Sequence, residues 1–371
     1  MHRDFKKENI ILGIAQQHNI MIFIGNGFDI SILQKYRKDK LVSSYSKFYD
    51  FLCYKEFNKD NLLLKKMSED KIKGKENWSD FEESLNELLY TSISGEELNC
   101  ALKEIQNMFL LFLNELVTPE ILLNLNDDVL NHKWSINALS KFLGDLDRED
   151  FERMNFPTTT NHYHMYNYLF VNFNYTSLFD NYIQLDRYRF EPHPYKHVDT
   201  NFSFTPNPNG YLTTGSNERT NWSSFIMTDI IHPHGYQSIP RSLLFGIENA
   251  LSDNRCKQTN FNKSYWAQCD PKYKTYFSNT QLFIIYGMSI GRSDSWWWNN
   301  ICDSLQNENS ELIIYFFDND NCYSKDYVKE KFLNACNTNL DTESIARIKE
   351  KIYVVTYNEQ RKCEMFYLDA D

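Results

Sequence analysis

The stretch Met21-Ile-Phe-Ile-Gly-Asn-Gly-Phe-Asp29 decides the fold, because it reads as a short buried strand followed by a glycine turn. A helix is predicted from Ile30, and another helix before the strand. Glycines after a strand let the backbone approach a phosphate, while the N–H groups of the next helix point at the anion. Since Ile30 stands where a full G-x-G-x-x-G motif has its third glycine, a tight turn without a ligand stays an alternative.

Residues 166–371 alternate between apolar runs and helical patterns. Near-continuous apolar runs separated by helices predict an α/β fold with a mostly parallel sheet covered on both faces. We therefore predict a Rossmann-like sheet that begins near residue 20, is interrupted by helices and is completed after residue 165. The predicted later strands are 168–172, 243–246, 282–286, 312–317 and 352–355.

The middle of the chain has almost purely helical periodicity. Trp78-Ser-Asp-Phe-Glu82 opens an amphipathic helix, with Ser79 or Asp80 as its N-cap. We predict a nucleotide-binding domain made of residues 1–60 and 165–371, with a large helical insertion subdomain, 61–164, after the first βα unit. Residues 185–225, rich in Asn, Pro, Thr and Tyr, are predicted to be long loops or a hairpin over the site.

Composition and charge limit the function. Of 371 residues, 42% are hydrophobic and 24% charged, which excludes a disordered chain. The net charge of −11 argues against non-specific nucleic-acid binding. None of the eight cysteines forms a C-x-x-C pair, so we predict no metal site. Without a signal-peptide core or an apolar run that could span a membrane, the chain is predicted to be cytoplasmic.

Polar residues follow two further segments. Asn174 comes after the predicted strand 168–172 and could present its amide to a ligand; capping of the next helix by Asn174 or Thr176 is the alternative. His232 and His234 are two apart and would point to opposite sides of an extended segment. His234, beside Gly235, has the ordinary titration range of a general base, although a structural histidine is the alternative.

A second strand–glycine–helix junction lies at Gly287-Met-Ser-Ile-Gly-Arg-Ser-Asp294. Ser289 could bind ribose or phosphate there, and Asp294 is a candidate N-cap. Two such junctions in one sheet suit a dinucleotide. Asp318, just beyond the strand 312–317, could accept ribose hydroxyls, with a surface turn as the alternative.

In chain order, the motifs G-N-G-F-D, W-S-D-F-E, F-N-Y-T, H-x-H-G and Y-G-x-S-x-G-x-S-D resemble the AbiH family of bacterial phage abortive-infection proteins. That family is similar to the sirtuin-like NAD-binding superfamily. The resemblance implies that Gly25 and Gly27 hold the pyrophosphate and that Ser289 holds the far ribose. It implies that Asn174 contacts nicotinamide or ribose and that His234 is the base, but it gives Trp78 and Glu82 no chemical role.

The departures from the sirtuin pattern shape the functional prediction. The usual G-A-G-x-S turn is G-N-G-F-D here, so Asn26 and Asp29 change the size and charge of the pocket. The lack of a four-Cys zinc module disfavours a protein deacylase. The resemblance implies an NAD hydrolase that releases nicotinamide during infection, with NAD as substrate and no other cofactor. Its predicted site has Asn174 and His234 as catalytic residues, with binding by Gly25, Asn26, Gly27, Asp29, Gly287, Ser289, Asp294 and Asp318.

Two other functions stay open. A non-catalytic sensor could bind a nucleotide in the same pocket while the helical insertion binds a phage or host partner. A metal-dependent nuclease or phosphohydrolase could use a set of acidic and histidine side chains, Asp29, Asp229, His232 and Asp294. A phage-derived trigger and a homo-oligomer are the further expected partners, with no membrane partner.

Overall fold

The computed structural model describes residues 2–8, 13–76, 78–158, 160–161, 163–184, 204, 224–239, 243–248, 261–336 and 340–368. Within them, six strands form one sheet in which every neighbouring pair is parallel. The predicted parallel α/β architecture is thus confirmed at this level. The strands are β1 (Gln16–Ile24), β2 (His164–Asn172), β3 (Phe225–Ile231), β4 (Leu282–Tyr286), β5 (Glu311–Phe317) and β6 (Ile352–Tyr357).

Helices bury both faces of this sheet. Ile22 and Ile24 of β1 join one apolar core, while Met21 and Phe23 join the other, because successive side chains of a strand point to opposite faces. This double burial explains the continuous apolar run in the sequence. The helices outside the β1–β2 connection are α9 (Leu178–Gln184), α10 (Lys263–Trp266), α11 (Cys269–Phe277), α12 (Ser295–Asn307), α13 (Lys325–Ala335) and α14 (Thr342–Glu350).

The long connection from β1 to β2 is helical. Asp80 is the N-cap of α4, where its carboxylate accepts from the N–H groups of Glu82 and Glu83. Phe81, one residue on, is fully buried in the core that also contains Ile22 and Ile24. The division into two domains stays a prediction. The helices are α1 (Asn26–Tyr36), α2 (Tyr45–Tyr54), α3 (Leu62–Ile72), α4 (Phe81–Leu89), α5 (Gly95–Leu116), α6 (Pro119–His132), α7 (Trp134–Lys141) and α8 (Arg148–Arg153).

Three local predictions were wrong or incomplete. The expected N-terminal helix is replaced, among the described residues, by a turn at 5–8 and by an earlier start of β1 at Gln16. Residues 243–246, which were predicted to form a strand, do not form one. The pairing next to them is an isolated bridge between Ile247 and Asn262. The edge strand β3 was not predicted. The predicted loop region 185–225 lies outside the described residues, apart from 204, 224 and 225.

The strand order is β3-β2-β1-β4-β5-β6, so the direction of winding reverses between β1 and β4. In open parallel sheets, a crevice forms beyond the carboxyl ends of the strands at such a reversal. The turns after β1, β2, β3 and β4 therefore meet at one edge, which is where the polar motifs were found.

No single helix in the described part of the chain is long and apolar enough to cross a membrane. Only when the bent pair Gly95–Leu116 and Pro119–His132 is counted together, with 55° between the two helices, do length and composition suffice.

Candidate functional site

A cleft of about 1220 Å³ lies at the carboxyl edge of the sheet, over the reversal point. The turns after β1, β2, β3 and β4 line it, and the first residues of α4 close one side. Asp318 is not among the described residues that line this cleft. Every other predicted site residue does line it: Gly25, Asn26, Gly27, Asp29, Asn174, His234, Gly287, Ser289 and Asp294.

The glycine turn after β1 packs directly against the turn after β4. The N–H of Gly25 donates to the carbonyl of Tyr286 at 2.9 Å, and that of Gly27 donates to the carbonyl of Gly287 at 2.8 Å. A Cβ at Gly27 would lie 2.7 Å from Cα of Gly287, which itself has φ +67°. The glycines are thus needed for the approach of two backbones, and the N–H groups of Gly25 and Gly27 already have partners.

Asp29 lies beneath this turn and holds Asn174. The Nδ2 of Asn174 donates to Oδ1 of Asp29 at 3.0 Å and to the carbonyl of Gly25 at 3.1 Å. The hydroxyl of Thr176 donates to Oδ2 of Asp29 at 2.6 Å. Burial raises the pKa of Asp29 to about 7, against the lowering effect of the Thr176 and Asn174 hydrogen bonds. Because both amide hydrogens of Asn174 have acceptors, its Oδ1 is the atom it can offer to a ligand.

The two histidines after β3 face different surroundings, although they lie in a turn and not in the extended segment that the spacing argument assumed. Nε2 of His232 lies 2.8 Å from Oδ1 of Asp180, whose other oxygen accepts from Asn172. His234 instead lines the cleft, with its ring edge-on to Phe173 at a centroid distance of 4.8 Å.

Asp294 is turned toward His234. It occupies the N-cap position of α12, as predicted, but its side chain makes no capping hydrogen bond. Its Oδ1 lies 3.2 Å from Nε2 of His234, a charge contact without hydrogen-bond geometry to a described residue. A capping aspartate contributes about 0.5–2 kcal/mol to helix stability. Asp294 does not make that contribution, because its carboxylate points into the cleft instead.

A buried ion pair completes this side of the cleft, and sequence reasoning missed its partner. Nζ of Lys263 lies 2.7 Å from Oε2 of Glu82 and 3.9 Å from Oδ1 of Asp294. Oε1 of Glu82 accepts from the N–H of Gly246 at 3.1 Å. Glu82 had been noted as part of a motif without a chemical role, and a lone lysine at 263 carries no local signal that could have found it.

Burial and charge set the protonation states of this cluster. Burial, together with the positive charge of Lys263, lowers the pKa of His234, so its imidazole is neutral at neutral pH. Burial works against ionisation of Asp294, but the charge of Lys263 and the contacts with His234 and Ser293 together outweigh it and bring the pKa of Asp294 down to about 2. Burial raises the pKa of Glu82 to about 7 against the opposing charge of Lys263. The cluster thus holds a neutral base beside a carboxylate.

Asp318 binds the turn that follows it, and its role toward a ribose stays a prediction. Its Oδ1 accepts from the N–H of Cys322 at 3.1 Å, and its Oδ2 accepts from the N–H of Tyr323 at 2.9 Å. The carboxylate thus closes its own turn after β5, and its side chain is buried rather than on the surface.

The set considered for a nuclease is dispersed. Asp29 binds Asn174 and Thr176, His232 contacts Asp180, and Asp229 is exposed on β3. Among the described residues, no three His, Cys, Asp or Glu side chains are grouped as ligands of one metal ion. The geometry therefore gives this hypothesis no support.

The fold and the cleft define a parallel α/β protein with a polar site at the carboxyl edge of its sheet. The chain matches the family Bacteriophage abortive infection AbiH over residues 21–316. This range covers most of the chain, so the protein belongs to the AbiH family, as the motifs indicated. Membership indicates a function in abortive phage infection. A search of curated proteins found no match.

Proposed function

We propose that this protein is an abortive-infection effector that hydrolyses NAD and releases nicotinamide. One observation carries the proposal: Asn174 and His234, from the turns after two different strands, line a single cleft at the reversal of strand order. The order β3-β2-β1-β4-β5-β6 is that of doubly wound, Rossmann-type dinucleotide-binding sheets. It supports the relation to sirtuin-like NAD-binding proteins that the motifs suggested.

His234 is the proposed general base. In the reaction, the bond between ribose C1′ and the nicotinamide nitrogen breaks while a bond forms from a water oxygen to C1′. Nicotinamide leaves as a neutral molecule with the bonding electron pair, so no strong general acid is needed. The proton of the attacking water passes to the imidazole, which burial keeps neutral and ready to accept it.

Asn174 is the proposed residue that orients the attacking water or a ribose hydroxyl. Its amide nitrogen is fixed by Asp29 and by the carbonyl of Gly25, so its orientation is determined before a ligand arrives. The oxygen Oδ1 can then accept a hydrogen bond from water or a ribose hydroxyl. In this account Asp29 supports Asn174 and does not itself touch the nucleotide.

The nucleotide would extend along the cleft on both sides of the reversal point. The positive end of the α1 dipole faces the cleft at Asn26, and the cations Lys35, Lys331 and Lys362 also line it. We therefore assign the phosphates to this dipole and these cations, since the N–H groups of Gly25 and Gly27 have partners. Ser289 and the ionised Asp294 are the proposed acceptors for ribose hydroxyls.

The test is nicotinamide release from NAD by purified protein, isolated both before and after phage infection of the producing cells. Wild type should release nicotinamide in at least one preparation, while His234→Ala and Asn174→Ala should not. His232→Ala is the matched control, because His232 lies in the same segment but contacts Asp180. Release that persists in His234→Ala would refute the assigned role, and no release by any preparation would refute the hydrolase.

A second candidate, a nucleotide-binding phage sensor without turnover, is favoured by one feature. Ser79, Asp80 and Glu82 at the start of α4 line the cleft, so a bound nucleotide would contact the helical segment directly. Calorimetry with NAD separates the two: binding without nicotinamide release supports the sensor, and loss of all binding excludes it.

A further inference from the structure

The motif Trp78–Glu82 ends in a buried carboxylate that faces the proposed active site. Glu82 is 6% exposed and Lys263 is 4% exposed, and their side chains join helices α4 and α10 across 181 residues of sequence. The N–H of Gly246 holds the other oxygen of Glu82. Both charged groups are thus removed from water and held in one arrangement.

The pair continues without interruption toward the proposed base. Lys263 faces Asp294 at 3.9 Å, and Asp294 faces His234 at 3.2 Å. Four side chains from four separate segments thus form one chain of alternating charge that ends on an imidazole. A buried ion pair contributes little net stability, because desolvation offsets the attraction. Its placement against Asp294, a residue withheld from helix capping, is better explained by a role in the cleft.

We propose that Glu82 and Lys263 are positioning residues of the active site, which hold the Asp294 carboxylate against the imidazole of His234. The proposal rests on the base role given to His234 above. Glu82 fixes the ammonium group of Lys263, Lys263 fixes the Asp294 carboxylate, and that carboxylate sets the orientation and charge of His234. The helical segment thereby contributes to the site through α4, and the W-S-D-F-E motif acquires a chemical role.

This chain of four side chains predicts opposite effects on the His234 pKa when Lys263 and when Glu82 is replaced. Lys263→Met removes a positive charge near His234 and should raise the imidazole pKa. Glu82→Gln removes the negative charge that is paired with the Lys263 ammonium, which then faces Asp294 without it, and this should lower the imidazole pKa. The other charged or titratable groups that face this cluster are Asp80, Glu248, Tyr45, Tyr175 and Cys269, and neither variant changes them. A general loss of packing would not move the pKa in opposite directions.

The experiment is an NMR titration of His234 in the full chain, by long-range ¹⁵N–¹H correlation, with His234→Gln used to assign its signal. It compares wild type with Glu82→Gln, Lys263→Met, Lys263→Arg and the double variant Glu82→Gln/Lys263→Met. The double variant removes both charges, so its His234 pKa should lie between those of the two single variants, and Glu82→Gln keeps the test valid if Lys263→Met fails to fold. Lys66→Met is the matched control, because Lys66 forms a largely buried ion pair with Asp70 away from this cleft.

The proposal is supported if the His234 pKa shifts in opposite directions in Lys263→Met and Glu82→Gln. That pKa should stay near the wild-type value in Lys263→Arg and be unchanged in Lys66→Met. Where nicotinamide release is measurable, Lys263→Met should lower its rate about tenfold, equivalent to ~1.4 kcal/mol, with partial recovery in Lys263→Arg. An unchanged His234 titration in folded Lys263→Met, or in Glu82→Gln where Lys263→Met does not fold, would overturn it. If the His234 pKa shifts occur but wild type cleaves no NAD, the positioning role is supported and the hydrolase function is refuted.

Discussion

Replacing Gly27 by alanine is expected to destabilise the fold rather than merely weaken ligand binding. The added Cβ would lie 2.7 Å from Cα of Gly287 and 3.1 Å from its carbonyl oxygen. Carbon atoms in contact normally lie about 3.5–4.0 Å apart, so one of the two turns must move by about 1 Å. Both neighbours are backbone atoms, and the hydrogen bond from the N–H of Gly27 to Gly287 at 2.8 Å ties the turns together.

Overpacking of this kind costs about 1–3 kcal/mol. Gly291→Ala is the control in the turn after β4, because the nearest neighbours of the new Cβ, the hydroxyls of Ser293 and Ser289, would lie 3.6 and 3.8 Å away. We expect a change within about 0.5 kcal/mol for that variant.

Urea unfolding followed by far-UV circular dichroism, with NAD affinity measured on the same samples, tests this account. The predicted result is a lower unfolding midpoint for Gly27→Ala and an unchanged one for Gly291→Ala. A Gly27→Ala protein with wild-type stability that had lost only nucleotide affinity would refute the packing argument. It would restore the phosphate role that the sequence suggested for this turn.

Three further predictions concern single side chains. Asp29 has a pKa of about 7 in the folded protein against an ordinary 3.8, so the native state retains a proton that the unfolded chain has lost, and stability falls as pH rises through that window. Asp29→Asn removes this dependence. In urea titrations, its free energy of unfolding relative to that of wild type should increase by about 1 kcal/mol or more from about pH 5 to about pH 8. A difference that does not change with pH would contradict the assignment. Asp318→Ala should cost about 1–3 kcal/mol by leaving two turn N–H groups without their acceptor, while NAD affinity by calorimetry stays unchanged; a selective loss of affinity would return Asp318 to the ribose site. Phe81→Ala should cost about 3–5 kcal/mol in thermal or urea unfolding, because the ring is fully buried against Phe245 and Phe109, and a neutral outcome would mean that this contact is not formed.

The interior of the sheet was readable from the sequence for a physical reason. β4, Leu282–Tyr286, matches its predicted bounds because both of its faces are covered and every residue is apolar. β3 was missed because it is an edge strand in which Thr228 and Asp229 interrupt the apolar pattern. The opposite error occurred at 243–246, where a strand was predicted but not found, since Phe245 is buried by packing on Phe81 without strand pairing.

The candidate site was readable where polar residues follow apolar strands. Asn174 was found in this way, because the carboxyl ends of parallel strands share one edge. His234 was found instead from its place beside Gly235, since the strand before it was not predicted. The glycine signal was ambiguous, since a close approach to a ligand and a close approach to another backbone need the same residue. Glu82 and Lys263 could not be paired from sequence, as only the tertiary fold brings residues so distant into contact.

The central claim is that His234 serves NAD cleavage during phage infection. The most direct measurement is the cellular NAD content after induction of wild type and of His234→Ala, each with and without phage. The account predicts a loss of NAD in infected cells that express wild type and none in cells that express His234→Ala at the same protein level. Unchanged NAD in both strains, while wild type still protects the culture from phage, would contradict the account and favour the sensor.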